Sequence, residues 1–584
     1  MVAIVPHTHW DREWYQPFQA FRMRLVEVID DVLDRLEADP SIIHFMLDGQ
    51  MAAVDDYLAV RPENAERLRR LCAAGRIAVG PWYVLPDEFL VSGETLIRNL
   101  QMGLERATAF GGAMAVGYLP DMFGHVAQMP QLLRQAGFDH AVVWRGVPAA
   151  VNRTAFWWRA PDGSGVRAEY LPVGYGNGAA VPDDAKAFVA RIRSHEDELG
   201  ALLPADAPLL WMNGGDHQRV QPHIGRVVAE ADDLTDDHTL RITSLAAHLA
   251  AASVVGLPSW TGELRSGARA NLLMGVASNR VDVKQAAARA ERALERVAEP
   301  LSALFGGDGS ALSLAWTEVV RNAAHDSVCA CSADDVVAAV LVRYAEATHV
   351  ADGVTARALA ALGTSMSVAG PVVVNPSART RGGLVELVLP GTGDVEGAQT
   401  VAARTGSATE RVVVGGQLGI VLGQVANEET AWGGAIVAVD VSDDESGLDV
   451  VVRTGPRPAP ASPDPVLAST TADLYARAGA RRREPIHIRI EHEPYRRVLV
   501  RADDVPGYGW TSWSPSDPSP VTPVTAGRGK TDGCSMANGL VTVAVDPSDG
   551  TFALDGNRGL DLLVDDGDAG DTYNYSPPDG DVAV

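Results

Sequence analysis

Ile4-Val5-Pro6-His7-Thr8-His9-Trp10-Asp11 is the stretch whose reading decides the fold. The apolar run Val2 to Val5 reads as a buried strand that ends in two histidines and a carboxylate at alternate positions. Side chains two apart on a strand point to one face, so His7, His9 and Asp11 project together if strand geometry persists that far. Two imidazoles and a carboxylate suit a divalent cation such as zinc. The other reading is a polar loop after a strand, with the histidines capping backbone carbonyls.

Outward from this strand, residues 1 to about 255 alternate between short apolar strands and helical stretches. Phe21–Glu37 carries Leu25, Val28, Ile29, Val32 and Leu36 at helical spacing. Ile42–Leu47, Ile77–Val79, Ala115–Leu119, Ala141–Trp144 and Leu209–Met212 read as further strands, with a helix around Ala65–Ala73. Such alternation predicts a parallel sheet or (β/α) barrel with helices outside and ligands at the carboxyl ends of the strands. Two more strand ends deliver carboxylates: Asp121, after Leu119-Pro120, and Asp216, in the turn Asn213-Gly214-Gly215-Asp216. Each alone reads as a solvated turn residue. Together with Asp11 they suggest the paired carboxylates of glycoside hydrolysis, one to attack or assist and one to protonate the departing oxygen.

At 584 residues the chain predicts about three or four domains. Its net charge is −26, from 75 acidic and 49 basic residues, which argues against nucleic acid and anionic membrane as partners. Four scattered cysteines predict no disulfide framework and a reducing compartment. Met1 leads straight into the first strand and no apolar run is long enough to span a bilayer, so a cytoplasmic location is expected.

Beyond the first region, Val281–Leu304, Leu312–Arg321 and Ala333–Ala361 read as helices, with His325 between the last two as a helix-end cap. After about 366 short valine-rich strands predict a sandwich: Val372–Asn375, Leu384–Leu389, Leu418–Val425, Ala435–Val441, Ile486–Ile490, Val498–Val500 and Leu540–Val545. Residues 454–466 are a proline-rich loop, and Asp565–Val584 is acidic and rich in glycine and proline. The expected fold class is therefore α/β plus all-α plus all-β. Its domains are a catalytic (β/α) barrel over 1–255, a three-helix bundle over 256–365 and a β-sandwich over 366–584.

These pieces resemble glycoside hydrolase family 38, the metal-dependent retaining α-mannosidases, and most closely their bacterial members. The motifs are His7-Thr8-His9-Trp10-Asp11-Arg12-Glu13-Trp14, Leu47-Asp48-Gly49-Gln50, Gly80-Pro81-Trp82-Tyr83 with Asp87-Glu88, Leu119-Pro120-Asp121-Met122-Phe123-Gly124-His125, Trp144-Arg145-Gly146, Gly215-Asp216-His217 and His325-Asp326-Ser327. The resemblance implies that His9, Asp11, Asp121 and His325 hold the metal, which reverses the capping role for His325 and gives the helical domain one ligand. It implies Zn²⁺, with Ca²⁺ or Co²⁺ as alternatives. Asp121 falls on the nucleophile and Asp216 on the general acid/base. His217 departs from the aromatic that often follows this Asp in animal members. Trp14, Arg145, His7 and Asp87 fall in the substrate-binding set, Trp14 stacking on the sugar and Arg145 steadying the nucleophile. The expected partner is a mannose-containing oligosaccharide or mannoside, with homo-oligomerisation left open. Two alternatives stand beside this: a hydrolase of a small mannoside such as mannosylglycerate, and a non-catalytic carbohydrate-binding relative. Because family members usually continue through more β structure, the third domain is expected to be incomplete.

Overall fold

The computed structural model describes residues 1–204, 207–306, 309–368, 370–414, 417–418, 435–444, 447–455, 469–470, 472–474, 476–477, 484–514, 522, 524–528, 533–561 and 567–580. Two compact units divide the chain. The first is Met1–Glu295, Ser310–Ala351 and Asp566–Val582; the second is Arg296–Gly309, Asp352–Asp565 and Ala583–Val584.

In the first unit the strands are β1 (Val2–Thr8), β2 (Phe45–Leu47), β3 (Ile77–Ala78), β4 (Gly117–Leu119), β5 (His140–Val143), β6 (Ala155–Arg159), β7 (Gly165–Tyr170), β8 (Leu209–Asn213), β9 (Leu240–Ile242) and β10 (Ser259–Thr261). Val2 to Val5 have no exposed surface, as a strand covered on both faces requires. One edge of β1 pairs with β8; the other pairs with β9 near its start and with β2 at His7 and Thr8. The strands expected from sequence are present, some shortened: Ile42–Leu47 keeps strand pairing only over Phe45–Leu47.

The barrel-like parallel arrangement expected from sequence appears in part, as a curled half-barrel layer of strands. Among the described residues the strands make two five-stranded sheets, β3-β2-β1-β8 with β9 on β1, and β10-β6-β7-β5-β4. Every pair is parallel except β6–β7, a hairpin that the alternation did not announce. It turns at Pro161-Asp162-Gly163, with Gly163 at φ +89°.

Helices cover the sheets. Phe18–Ala38 buries Phe21, Leu25, Val28, Ile29, Val32 and Leu36 along one face. Gly93–Thr108 is capped by Ser92, whose Oγ accepts the Thr95 amide at 3.1 Å. It lies so close to the segment before it that a Cβ on Gly103 would stand 2.1 Å from Pro81 O. Further along the chain come helices Val281–Ala293, Glu299–Phe305, Gly309–Asn322, His325–Val328 and Asp334–Ser365. The long helix expected over Val281–Leu304 is interrupted by a π turn at Leu294–Ala298.

In the second unit the described strands form sheets of two, three, four and four strands. The sheet of Ser407–Val414, Pro485–His492, Gly447–Gly455 and Ala435–Asp444 buries Leu448, Val450, Val452, Ile486, Ile488 and Ile490 on one face, the alternation of a half-covered sheet. Most of the strand expected at Leu418–Val425 and of the loop 454–466 lies outside the described residues. Among the described residues, no helix is long and apolar enough to cross a membrane.

Candidate active site

The carboxyl end of β1 carries the chemistry. His9 extends the pairing with the β8 side: its amide donates to Gly215 O at 3.0 Å, and the His217 amide donates to His9 O at 2.8 Å. This isolated parallel bridge sets Asp216 directly beside His9. The turn comes so near that a Cβ on Gly214 would stand 2.0 Å from His7 O, so only glycine fits there.

His9, Asp11 and His325 form a buried group whose ligand atoms lie within 4.8 Å of one another. His9 Nε2 is 3.0 Å and His325 Nε2 3.3 Å from Asp11 Oδ1. Neither His9 Nε2 nor Asp11 Oδ1 has a hydrogen-bond partner. Asp48 and a carbonyl orient the rings: His9 Nδ1 faces Asp48 Oδ2 at 3.0 Å, and His325 Nδ1 lies 3.4 Å from Leu85 O. Each ring thus donates from Nδ1 and turns the lone pair of Nε2 inward. Asp48 is in turn held by the Trp10 amide at 2.7 Å and Gln50 Nε2 at 2.9 Å.

Burial opposes charge on His9, yet Asp48 and Asp11 outweigh it and hold the imidazole well above its ordinary pKa. His325 is likewise pushed up, to about 9, as Asp326 and Asp11 overcome burial. Burial also works against ionised Asp11, but His9 and the contacts with His217 and His325 keep its pKa well below the usual carboxylate range. Two orphaned buried atoms amid acidic groups fit a divalent cation, which supplies the positive charge that protons otherwise provide.

Asp121 is not part of this tight group, although it lines the same cavity of about 430 Å³. Arg145 Nε donates to Asp121 Oδ1 at 2.7 Å while its Nη1 donates to Asn271 O at 2.7 Å. Tyr175, which the sequence reading missed, joins the two carboxylates: its hydroxyl is 3.2 Å from Asp121 Oδ2 and 2.9 Å from Asp216 Oδ1. Those two oxygens are therefore no more than about 6 Å apart. Burial, then Asp121 and Asp216, raise the pKa of Tyr175, so its phenol stays protonated.

Trp14 lines the cavity, its Nε1 donating to Tyr573 OH at 2.6 Å. Tyr573 belongs to the C-terminal stretch read from sequence as acidic and irregular. The segment is pinned into the first unit by the Gly275 amide on Tyr573 O at 2.8 Å and by Asn279 Nδ2 on Thr572 O at 2.5 Å. Asp326 also lines the cavity, with Cys331 Sγ donating to its Oδ1 at 3.1 Å; burial raises its pKa.

Two expected substrate contacts are placed elsewhere. His7 does not join His9 and Asp11: its Nε2 lies 3.0 Å from Tyr175 O, because β1 ends at Thr8 and the alternation does not continue to Asp11. Burial lowers its pKa, as for a neutral ring. Asp87 is not among the residues lining the cavity. It holds a turn, its Oδ1 accepting the Phe89 and Leu90 amides at 2.8 and 2.7 Å, and Cys329 Sγ lies 3.4 Å from its Oδ2.

Two carboxylates joined at strand ends form a pair of the kind glycoside hydrolysis uses. Residues 1–250 match the model of the glycosyl hydrolases family 38 N-terminal domain. A relative provisionally named mannosylglycerate hydrolase, from Halalkalibacterium halodurans, is 36% identical over 366 residues, 58% of this chain and 40% of that one. Alpha-mannosidase G of Dictyostelium discoideum is 31% identical over 202 residues, 34% of this chain and 18% of that one. The chain therefore spans less than half the length of these curated relatives. An alpha-mannosidase structure from Enterococcus faecalis V583 superposes over 100% of this chain and 64% of its own, at TM-score 0.71 and 24% identity, a likeness of fold.

Proposed function

We propose that the chain is a metal-dependent retaining α-mannosidase that cleaves terminal α-D-mannose through a mannosyl-aspartate intermediate on Asp121. The observation that carries this reading is the Tyr175 bridge, which keeps the two carboxylates within about 6 Å. Retaining glycosidases hold their pair at ≈ 5–5.5 Å, whereas inverting ones need ≈ 6.5–9.5 Å to admit a water. Tyr175 has one proton for two carboxyl groups. It serves Asp121 as donor when Asp216 is the protonated partner that donates back to the phenol. In that arrangement the charges suit the reaction: Asp121 ionised for attack, Asp216 carrying the proton for the leaving oxygen.

Arg145 orients Asp121 through Oδ1 while Tyr175 meets Oδ2, and Trp14, braced by Tyr573, offers an aromatic face for the sugar. After the leaving group departs, Asp216 takes a proton from the water that releases the intermediate. His9, Asp11 and His325, with Asp121 at the edge, would hold a Zn²⁺ ion, which supplies Lewis-acid orientation of sugar hydroxyls. Four unpaired cysteines are consistent with a cytoplasmic enzyme.

The test is hydrolysis of an aryl α-mannoside with and without chelator, with NMR of the first-formed sugar. The expected result is zinc-restored activity giving α-mannose. Chelator-insensitive activity or β-mannose as first product would sink the mechanism.

The 36% identity to the Halalkalibacterium protein favours a second reading, hydrolysis of mannosylglycerate. The cavity supports the first reading. It is lined by the carboxylates of Asp11, Asp121, Asp216, Asp326 and Asp571, and among its described lining residues Arg145 is the one cation. Arg145 already serves Asp121 and Asn271. With its one arginine engaged, the lining offers no second side-chain cation to a glycerate carboxylate, which favours a neutral aglycone. We expect kcat/KM for neutral mannosylglycerol to exceed that for mannosylglycerate about tenfold, the order of ~1–2 kcal/mol of charge repulsion in a half-open cleft. Asp571→Asn should narrow the gap. Preference for the glycerate would favour the second reading.

A further inference from the structure

His217 follows the acid/base turn and plays no part in the chemistry above. Its backbone is in the left-handed region, at φ +56°, which is uncommon for a residue with a side chain. Its ring is packed against Trp10 and Phe21, with centroids 4.7 and 4.5 Å away, and its Nδ1 lies 3.4 Å from Tyr15 OH. The strained turn and this packing aim Nε2 at Asp11: the Asp11 amide donates to it at 3.4 Å, and Oδ2 lies 3.4 Å away. Asp11 thus has its two oxygens divided. Oδ1 faces His9 and His325 without a hydrogen bond; Oδ2 faces His217.

We propose that His217 is a positioning residue for the cation site: it holds Asp11 by accepting its amide and facing Oδ2, so that Oδ1 stays turned to His9 and His325, which together would hold the ion. This rests on the metal-dependent reading above. Groups that orient a ligand in this way typically contribute 10–100-fold to metal affinity. An aromatic at this position would preserve the packing against Trp10 and Phe21 while offering Asp11 no nitrogen, so the two roles separate by substitution.

The experiment measures zinc affinity and stoichiometry by competition with a fluorescent chelator, on metal-stripped protein, for wild type, His217→Phe, His217→Ala and His217→Gln. Melting temperatures of the metal-free proteins report packing independently. The expected result is one zinc on wild type, affinity about 10–100-fold weaker in His217→Phe and His217→Ala, and substantial rescue in His217→Gln, whose side-chain amide can accept from the Asp11 N–H and donate to Oδ2. If His217→Phe melts far below wild type, the comparison of His217→Gln with His217→Ala decides, since neither retains the ring. Wild-type affinity in a folded His217→Phe, or Gln no better than Ala, overturns the proposal and leaves His217 a packing residue. Absence of zinc from wild type overturns the metal reading itself, a distinct failure.

Discussion

Asp121→Ala is expected to abolish α-mannoside hydrolysis, with kcat lower by three orders of magnitude or more, on the scale of losses when a covalent nucleophile is removed. Asp216→Ala should lose about 10²–10⁴-fold, the share of a general acid/base. The two variants should differ in kind as well as in size. Asp216→Ala lacks the proton donor, so a dinitrophenyl mannoside, whose leaving group needs no proton, should form the intermediate at near wild-type rate. The intermediate should then accumulate, giving a burst, and added azide should release it as a mannosyl azide of retained configuration. Asp121→Ala should show none of this, because no intermediate forms. The geometry adds a third variant. Tyr175 OH lies within hydrogen-bond distance of both carboxylates, so Tyr175→Phe removes the link while leaving each carboxylate in place. Rate measurements across leaving groups, with burst kinetics, check all three. A burst in Asp121→Ala would remove that residue from the nucleophile's role.

Much of this arrangement was legible because strand ends have a local signature. The run Val2 to Val5 reads as a covered strand, and Leu209 to Met212 reads as its like; they are hydrogen-bonded neighbours, and this pairing puts Asp216 beside His9. The rule that ligands gather at carboxyl ends therefore located the right edge of the sheet. Asp48 obeys the same rule, at the end of β2 with φ +51° before Gly49 at φ +64°, and could have been found by it. What failed was continuation of the two-residue period past the last paired residue. Once β1 ends, the chain turns, and Asp11 meets His325 instead of His7.

Other contributions had no local mark. Tyr175 lies in Gly174-Tyr175-Gly176, which reads as loop, and its role depends on carboxylates 54 residues before and 41 after it. Tyr573 sits in an irregular acidic stretch whose order comes from hydrogen bonds to Gly275 and Asn279. Tertiary pairing, not propensity, makes such segments part of a site. The same holds for His325, whose cap-like setting at a helix start hides that Leu85 O fixes its tautomer.

His325→Ala is expected to empty the cation site, and the reason lies in how the ligands are supplied. His9 and Asp11 come from one short stretch, whereas His325 comes from a separate helix whose first residue is tied to Leu85 O by its own amide at 3.1 Å. Two ligands alone bind a divalent ion weakly; the third, pre-oriented and buried, would complete the site. Zinc that binds the native state stabilises it by RT ln(1 + [L]/Kd), about 2.7 kcal/mol at a hundred times Kd. Wild type should therefore melt several degrees higher with excess zinc than with chelator, and His325→Ala should show almost no difference. Asp48→Asn should fall between them, since an amide can still meet the Trp10 amide but no longer supports the His9 ring with a charge; a 10–100-fold loss of affinity is expected. Melting curves with and without zinc, paired with metal content after gel filtration, measure both. A zinc-dependent shift in His325→Ala equal to that of wild type would show that the ion binds without this histidine.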